Sequence, residues 1–78
     1  MREGIKEKIT SEVELLASQK VESADFEIFS NGYLDSLNVL HIIIFMESEF
    51  KIQINPYDIS IDALSSVNKI TDFILSKQ

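Results

Sequence analysis

Apolar residues recur at helical spacing in three parts of this chain, over residues 2–17, over residues 36–50 and from Val67 onward. A spacing of three or four residues places such side chains on one face of a helix, where they can pack into a core. We therefore predict three main helices. The positions assigned to the core are Ile5, Ile9, Val13 and Leu16 in the first helix, Val39, Ile42, Ile43, Met46 and Phe50 in the second, and Val67, Ile70, Phe73 and Ile74 in the last.

The segments between these helices are predicted to be irregular but ordered. Residues 18–34 lose the periodicity and mix polar residues with large apolar ones, so we expect a long loop that is held to the helices by its apolar side chains. Residues 51–54 alternate like a strand, but one short strand has nothing to pair with. We interpret them as a linker whose two isoleucines are buried.

A short helix is predicted after this linker. Asn55 is a suitable N-cap and Pro56 suits the first helical position, so Tyr57 begins this helix in our interpretation. Ile61 and Leu64 should then lead into the core. The complete pattern is all-α, with four helices of which the third is short, and Ser65 and Ser66 cap the last one.

The size of the chain restricts its function. Its 78 residues, 45% apolar and without cysteine, indicate a single domain over residues 1–78 that is stabilised by helix packing. A domain this small buries about 60% of the surface that its unfolded chain exposes, which disfavours a deep catalytic cleft. No apolar run approaches the roughly 20 residues of a membrane span, and the N-terminus lacks the apolar core of a signal peptide. We expect a free-standing, monomeric, cytoplasmic protein.

The charge is acidic and unevenly distributed. Seven basic and thirteen acidic residues give a formal charge of −6, and between Val21 and Asn68 the only basic residue is Lys51. Nucleic acids and anionic bilayers need a basic face, so neither is expected as a partner. The charge favours proteins with basic patches, although acidity also keeps a small protein soluble whatever it binds.

The candidate functional residue is Ser36, which lies in the sequence GYLDSL of residues 32–37. Asn31 and Gly32 indicate a turn, and Asp35 or Ser36 is a suitable N-cap for the helix that follows. At a helix N-terminus, free N–H groups would favour an anion attached to the Ser36 hydroxyl by roughly 0.3–1 kcal/mol. Serine and aspartate before an apolar run are, however, far more often simple caps.

The same helix carries a candidate contact face. At 100° per residue, the side that bears Ser36 combines acidic, apolar and polar groups. Its apolar members, Leu40 and Ile44, should be partly exposed in line with Ser36, so we interpret this side as a surface for partners. The other residues on this side are His41, Glu47 and Ser48.

The sequence offers no catalytic or metal site. His41 is the only histidine, and with no cysteine in the chain it cannot complete a zinc site of the usual kind. Five residues separate it from Ser36, which turns the two side chains about 140° apart on a helix. Ser36 therefore lacks a base and would need another enzyme for its activation. We predict a protein that is modified as a substrate and is not itself an enzyme.

These features resemble the acyl carrier protein family. The likeness spans nearly the whole chain and rests on the GYLDSL sequence, the ESEF sequence that ends the apolar helix, the IQI sequence that follows and Pro56. In that family the serine of an Asp-Ser-Leu motif carries a 4'-phosphopantetheine arm. The resemblance implies a four-helix bundle of the acyl carrier protein type with a short third helix, and an arm on Ser36 between Asp35 and Leu37.

The resemblance also implies a function and partners. Acyl intermediates, as in lipid or fatty acid biosynthesis, would be held as thioesters on the arm and presented to other enzymes. A phosphopantetheinyl transferase would move the arm from coenzyme A to Ser36. Further partners would be an acyl- or aminoacyl-activating ligase and downstream transferases with basic docking patches.

Partner enzymes of that family recognise the second helix through acidic and exposed apolar side chains. The residues that match this pattern here are Asp35, Leu37, Leu40, Ile44 and Glu47. Asn38, His41 and Ser48 depart from it, because they stand where members that serve fatty acid synthesis tend to carry acids.

Two alternatives stay open. The GYLDSL sequence also resembles the start of this helix in D-alanyl carrier proteins, and the FEIF sequence of residues 26–29 adds to the likeness. An aminoacyl or peptidyl cargo is therefore an alternative to an acyl one. From a different class, the chain could be an unmodified helical adapter that binds a basic partner through Leu40, Ile44 and Glu47.

Overall fold

The computed structural model describes residues 2–55, 57 and 59–78, and in this part of the chain the regular structure is helical, with no strand. Its α-helices are α1 (Arg2–Ala17), α2 (Ser36–Phe50) and α3 (Val67–Lys77), and a 3₁₀ helix, Ile61–Leu64, precedes α3. The three predicted main helices are confirmed. None of the described helices is long and apolar enough to cross a membrane.

The core is formed by one face of each α-helix. Most of the assigned apolar positions are fully buried, and Leu16, Val39, Phe50 and Phe73 are half-buried against the same cluster. The helical spacing therefore identified the buried faces correctly. Among the buried residues, those that the spacing assigned are Ile5, Ile9, Val13, Ile42, Ile43, Met46, Val67, Ile70 and Ile74.

The long loop between α1 and α2 is ordered, as predicted. Ile28 and Leu34 are buried in the core, and the N–H of Ile28 donates to the carbonyl oxygen of Ser65 at 2.9 Å, just before α3. The predicted turn is present too: Gly32 has a φ of 76°, which glycine adopts without a steric penalty, and its N–H donates to the Phe29 carbonyl oxygen at 3.0 Å. The loop is thus held at both its middle and its end.

The segment after α2 is an extended linker with two buried side chains. Ile52 and Ile54 are both buried, whereas Lys51, Gln53 and Asn55 are exposed. The alternation of apolar and polar residues comes from burial of one side of the linker, without strand pairing in the described residues. The interpretation as a linker is therefore confirmed.

The short third helix differs from the prediction. Its predicted start falls partly on Pro56 and Asp58, which lie outside the described residues, and Ile59 is not helical. The regular structure described here is the 3₁₀ helix Ile61–Leu64, which Ser60 caps by accepting the N–H of Ala63 at 3.3 Å. At the predicted start, the Asn55 side chain accepts the N–H of Tyr57 at 3.0 Å, as expected of an N-cap, and Tyr57 itself has 3₁₀ conformation.

The assignment of Ile61 to the core is wrong. Leu64 is fully buried as predicted, but Ile61 is 51% exposed. Ile61 is the first residue of the 3₁₀ helix and lies about 6 Å along its axis from Leu64, given a rise of roughly 2 Å per residue. This distance places its side chain at the edge of the core.

The ends of α1 and α2 share a backbone conformation that is costly for their residues. Ser18 follows α1 with a φ of 55°, and Lys51 follows α2 with a φ of 57°. An L-residue in this left-handed region costs roughly 1–2 kcal/mol, and glycine is the usual choice at such a position. The N–H of Lys51 still closes the helix by donating to the Glu47 carbonyl oxygen at 3.1 Å.

A glutamate in the last turn of each of these helices binds the outgoing chain. Glu14 Oε2 accepts the N–H of Val21 at 2.7 Å, and Glu47 Oε2 accepts the N–H of Ile54 at 3.0 Å. In both cases the acceptor and the donor are seven residues apart, with the left-handed residue between them. These hydrogen bonds hold the chain against the helix after it has turned back.

Replacing Lys51 with glycine should raise the free energy of unfolding by about 0.5–1 kcal/mol. Glycine avoids the steric penalty of the left-handed conformation, and its larger loss of backbone entropy offsets part of the gain. Urea denaturation followed by circular dichroism measures the change. Lys51→Ala is the matched control, because it removes the same charge but keeps the β-carbon. If Lys51→Ala stabilised the protein as much as Lys51→Gly, the loss of charge would explain the effect and the backbone explanation would be contradicted.

Candidate functional site

The N-terminus of α2 is closed by Asp35. Its Oδ1 accepts the N–H of Leu37 at 3.0 Å and the N–H of Asn38 at 3.3 Å, while Asn38 Oδ1 accepts the N–H of Asp35 at 3.1 Å. This reciprocal arrangement is a capping box with asparagine at its third helical position. The sequence predicted either Asp35 or Ser36 as the N-cap, and the N-cap of α2 is Asp35.

Ser36 is the first residue of α2 and is exposed. Because Asp35 Oδ1 accepts two N–H groups of the first turn, the cap of α2 does not use the Ser36 hydroxyl. The expected attraction of the helix end for an anion is also reduced, since Asp35 occupies two of those N–H groups and adds its own negative charge. A phosphate group at Ser36 would depend on a covalent bond more than on the helix end.

An exposed line of apolar side chains follows Ser36 along α2. We call Leu37, Leu40 and Ile44 the apolar stripe; they are 72%, 58% and 63% exposed. Their spacing of three and four residues places them on one helix face. The predicted exposure of Leu40 and Ile44 is confirmed, and Leu37, which the resemblance to carrier proteins placed on the partner face, is exposed as well. His41 and Ser48 are exposed on the same helix.

Glu47 was assigned to the contact face, but its carboxylate has a structural partner. It is half-buried and accepts the N–H of Ile54, as described above. Removing the carboxylate would leave a partly buried N–H without its acceptor, which typically costs about 1–3 kcal/mol. A substitution of Glu47 would therefore disturb the linker as well as any docking, so Leu40 and Ile44 are the better positions at which to test the face.

One feature of the site was not predicted from the sequence, namely the hydrogen bond between Asn38 and Asp35. The sequence motif for a capping box has glutamate or glutamine at the third helical position, and asparagine performs that role here. The signal was the asparagine three residues after Asp35. In the part of the chain that the structure describes, no group of three or more His, Cys, Asp or Glu side chains could hold a metal ion.

No protein-family model matches the chain, and no curated protein matches it. The features that bear on function are therefore the arrangement at the start of α2 and the resemblance of the sequence motifs.

Substitutions at the cap should separate the roles of its two residues. Asp35→Ala should lower the free energy of unfolding by about 0.5–2 kcal/mol, because two N–H groups lose their acceptor. Ser36→Ala should change it by no more than about 0.5 kcal/mol, as is usual for an exposed position. Urea denaturation measures both. Asp35→Asn is the control and should retain most of the stability, since asparagine is an equally good cap. If Ser36→Ala lowered the free energy of unfolding as much as Asp35→Ala does, the assignment of Asp35 as the cap would be contradicted.

Proposed function

We propose that this protein is a carrier of the acyl carrier protein type, in which Ser36 bears a 4'-phosphopantetheine arm and acyl groups are held on the arm as thioesters. The observation that supports this most directly is the position of Ser36. Its side chain is exposed at the first residue of α2, the capping role belongs to Asp35, and the apolar stripe continues from it along the helix. A transferase could therefore reach the hydroxyl without disturbing the fold.

The proposal extends to the architecture. In a four-helix carrier fold, α1, α2 and α3 would be the three long helices. The 3₁₀ helix Ile61–Leu64 would take the place of the short third helix. The described fold is consistent with this interpretation because the loop between α1 and α2 is long and held to the core by Ile28 and Leu34.

The modification requires a nucleophile but no catalytic group from this chain. Transfer would join Ser36 Oγ to the phosphorus of the phosphopantetheine group, break the pyrophosphate bond of coenzyme A and release adenosine 3',5'-bisphosphate. A base of the transferase would accept the hydroxyl proton, and a magnesium ion of the transferase would stabilise the leaving group. When bound, the arm supplies a thiol. This chain's own contribution is presentation, because a tethered substrate meets successive partner sites at a high effective concentration.

The cargo is proposed to be an acyl group, and an aminoacyl group is the alternative. The arm is common to both, so the activating ligase selects between them. Charging the modified protein with an acyl-activating ligase in one reaction and an amino-acid-activating ligase in another, followed by intact mass, would distinguish the two cargoes.

An unmodified adapter is the second candidate, and the exposure of the apolar stripe supports it. Exposed apolar side chains on a helix surface are typical of protein interaction sites whether or not a neighbouring serine is modified. The adapter would function through Leu37, Leu40 and Ile44 and would tolerate Ser36→Ala. The carrier would lose all function with that substitution.

Intact mass spectrometry after incubation with coenzyme A, magnesium and a broad-specificity phosphopantetheinyl transferase tests the carrier proposal. We expect the wild-type protein to gain the mass of one phosphopantetheine group, and Ser36→Ala to gain none. Ser48→Ala is the matched control, because Ser48 is also exposed on α2, and it should be modified like the wild type. No gain in folded wild-type protein would support the adapter instead.

Substitutions in the apolar stripe test its role in docking. Leu40→Glu and Ile44→Glu should each slow the transfer to Ser36 by about tenfold or more, since they place a charge where an apolar contact is proposed. The proteins should stay folded, because both side chains are exposed. Gln53→Glu adds the same charge at an exposed position of the linker and should leave the rate unchanged. Equal slowing by Gln53→Glu would indicate a general charge effect and contradict docking through the stripe.

A further inference from the structure

The seam between α1 and α2 is open to solvent. α1 packs mainly against α3 and has a smaller contact with α2. Two adjoining depressions lie along this seam, and both are lined by Glu12 of α1 and by Phe45 and Glu49 of α2. The first extends to Leu15 and the second to Ile44. We call this continuous surface the α1–α2 groove.

The groove has an apolar floor. Leu15 is 73% exposed at one end, Ile44 is exposed at the other, and Phe45 is half-buried between them. The ring of Phe45 is fixed by an edge-to-face contact with Phe50, with 6.0 Å between ring centroids. Three apolar side chains therefore lie along the groove, with Phe45 shared by its two depressions, and Leu15 has no role in the core or in the proposed attachment site.

The rim of the groove is acidic. Lys8 Nζ lies 2.8 Å from Glu49 Oε2, and this hydrogen bond, together with the charge of Lys8, holds the pKa of Glu49 below its usual range. The two side chains therefore neutralise each other at neutral pH. Glu7 and Glu12 line the same groove and give it a net negative charge. A ligand with basic groups would be attracted, whereas a second copy of this chain would bring the same acidic rim and be repelled.

We propose that the α1–α2 groove is a docking site for a basic amphipathic helix of a partner protein. Apolar side chains of that helix would contact Leu15, Phe45 and Ile44, and flanking lysine or arginine side chains would lie beside Glu7 and Glu12. Laying an apolar helix face into a groove is a common mode of recognition, and the opposite charges would set the orientation. The proposal does not depend on modification of Ser36.

The test uses a synthetic amphipathic peptide of leucine and lysine at helical spacing, titrated into ¹⁵N-labelled protein and followed by NMR. The Ser36→Ala protein serves as the parent, so that no arm is present. We expect the largest shifts of amide signals at Leu15, Ile44 and Phe45. Leu15→Ser and Glu12→Lys should each weaken binding about tenfold. Circular dichroism checks that each variant is folded.

Matched controls separate the groove from the rest of the acidic surface. Leu37→Ser removes an equally exposed leucine outside the groove, and Glu22→Lys reverses an exposed acid outside it. Both should bind the peptide as the parent does. A peptide with the same residues in a scrambled, non-amphipathic order should bind at least about tenfold more weakly.

Several results would overturn the proposal. One is that the peptide shifts only the amide signals of Leu37 and Leu40, and another is that Glu22→Lys weakens peptide binding as much as Glu12→Lys does. The proposal also fails if the scrambled peptide binds as tightly as the amphipathic one, or if the amphipathic peptide does not bind. A dimer in analytical ultracentrifugation that Leu15→Ser dissociates would assign the groove to a second copy of the chain and also reject the basic partner. None of these results bears on phosphopantetheine transfer to Ser36, so the two proposals fail separately.

Discussion

The arrangement at the start of α2 depends on the reciprocal hydrogen bonds between Asp35 and Asn38. They satisfy the first N–H groups of the helix with side chains outside the core, so the helix can begin at Ser36 without using its hydroxyl. Burial of Ile42, Ile43 and Met46 sets the rotation of α2 about its axis. With that rotation fixed, the exposed side of the helix is determined, which is why Ser36 and the apolar stripe stay at the surface.

At the other end of α2, an unfavourable backbone conformation is offset by the burial of the residues that follow it. Lys51 takes a left-handed conformation, and the chain then runs back so that Ile52 and Ile54 enter the core. Burial of each isoleucine side chain contributes roughly 1.5–3 kcal/mol, so the two together exceed the backbone cost of about 1–2 kcal/mol. The hydrogen bond from Ile54 to Glu47 adds to this. The short linker can therefore tolerate a lysine where glycine would be easier.

The sequence predicted well those features that depend on local periodicity. The core faces of α1, α2 and α3 follow from the spacing of their apolar residues, and the exposure of Leu40 and Ile44 follows from the same geometry. The sequence predicted poorly the features that depend on where the chain turns between helices. Neither the position of the 3₁₀ helix nor the bond from Ile54 to Glu47 can be found from spacing, because each requires knowing how an irregular segment turns in space. A lysine gives no signal of a left-handed conformation.

α2 therefore presents two different surfaces on either side of Ile44. Towards Ser36 lie Leu37 and Leu40 of the apolar stripe, next to Asp35, whose carboxylate is engaged as the helix cap. Towards α1, Ile44 borders a groove whose rim carries acidic side chains from a second helix. A partner that binds only the stripe contacts chiefly apolar side chains, whereas one that binds the groove also interacts with its acidic side chains. Since long-range charge affects the rate and orientation of approach more than the strength of the final contact, the acidic rim of the groove would orient a basic helix, and Leu15, Phe45 and Ile44 would supply the close apolar contact.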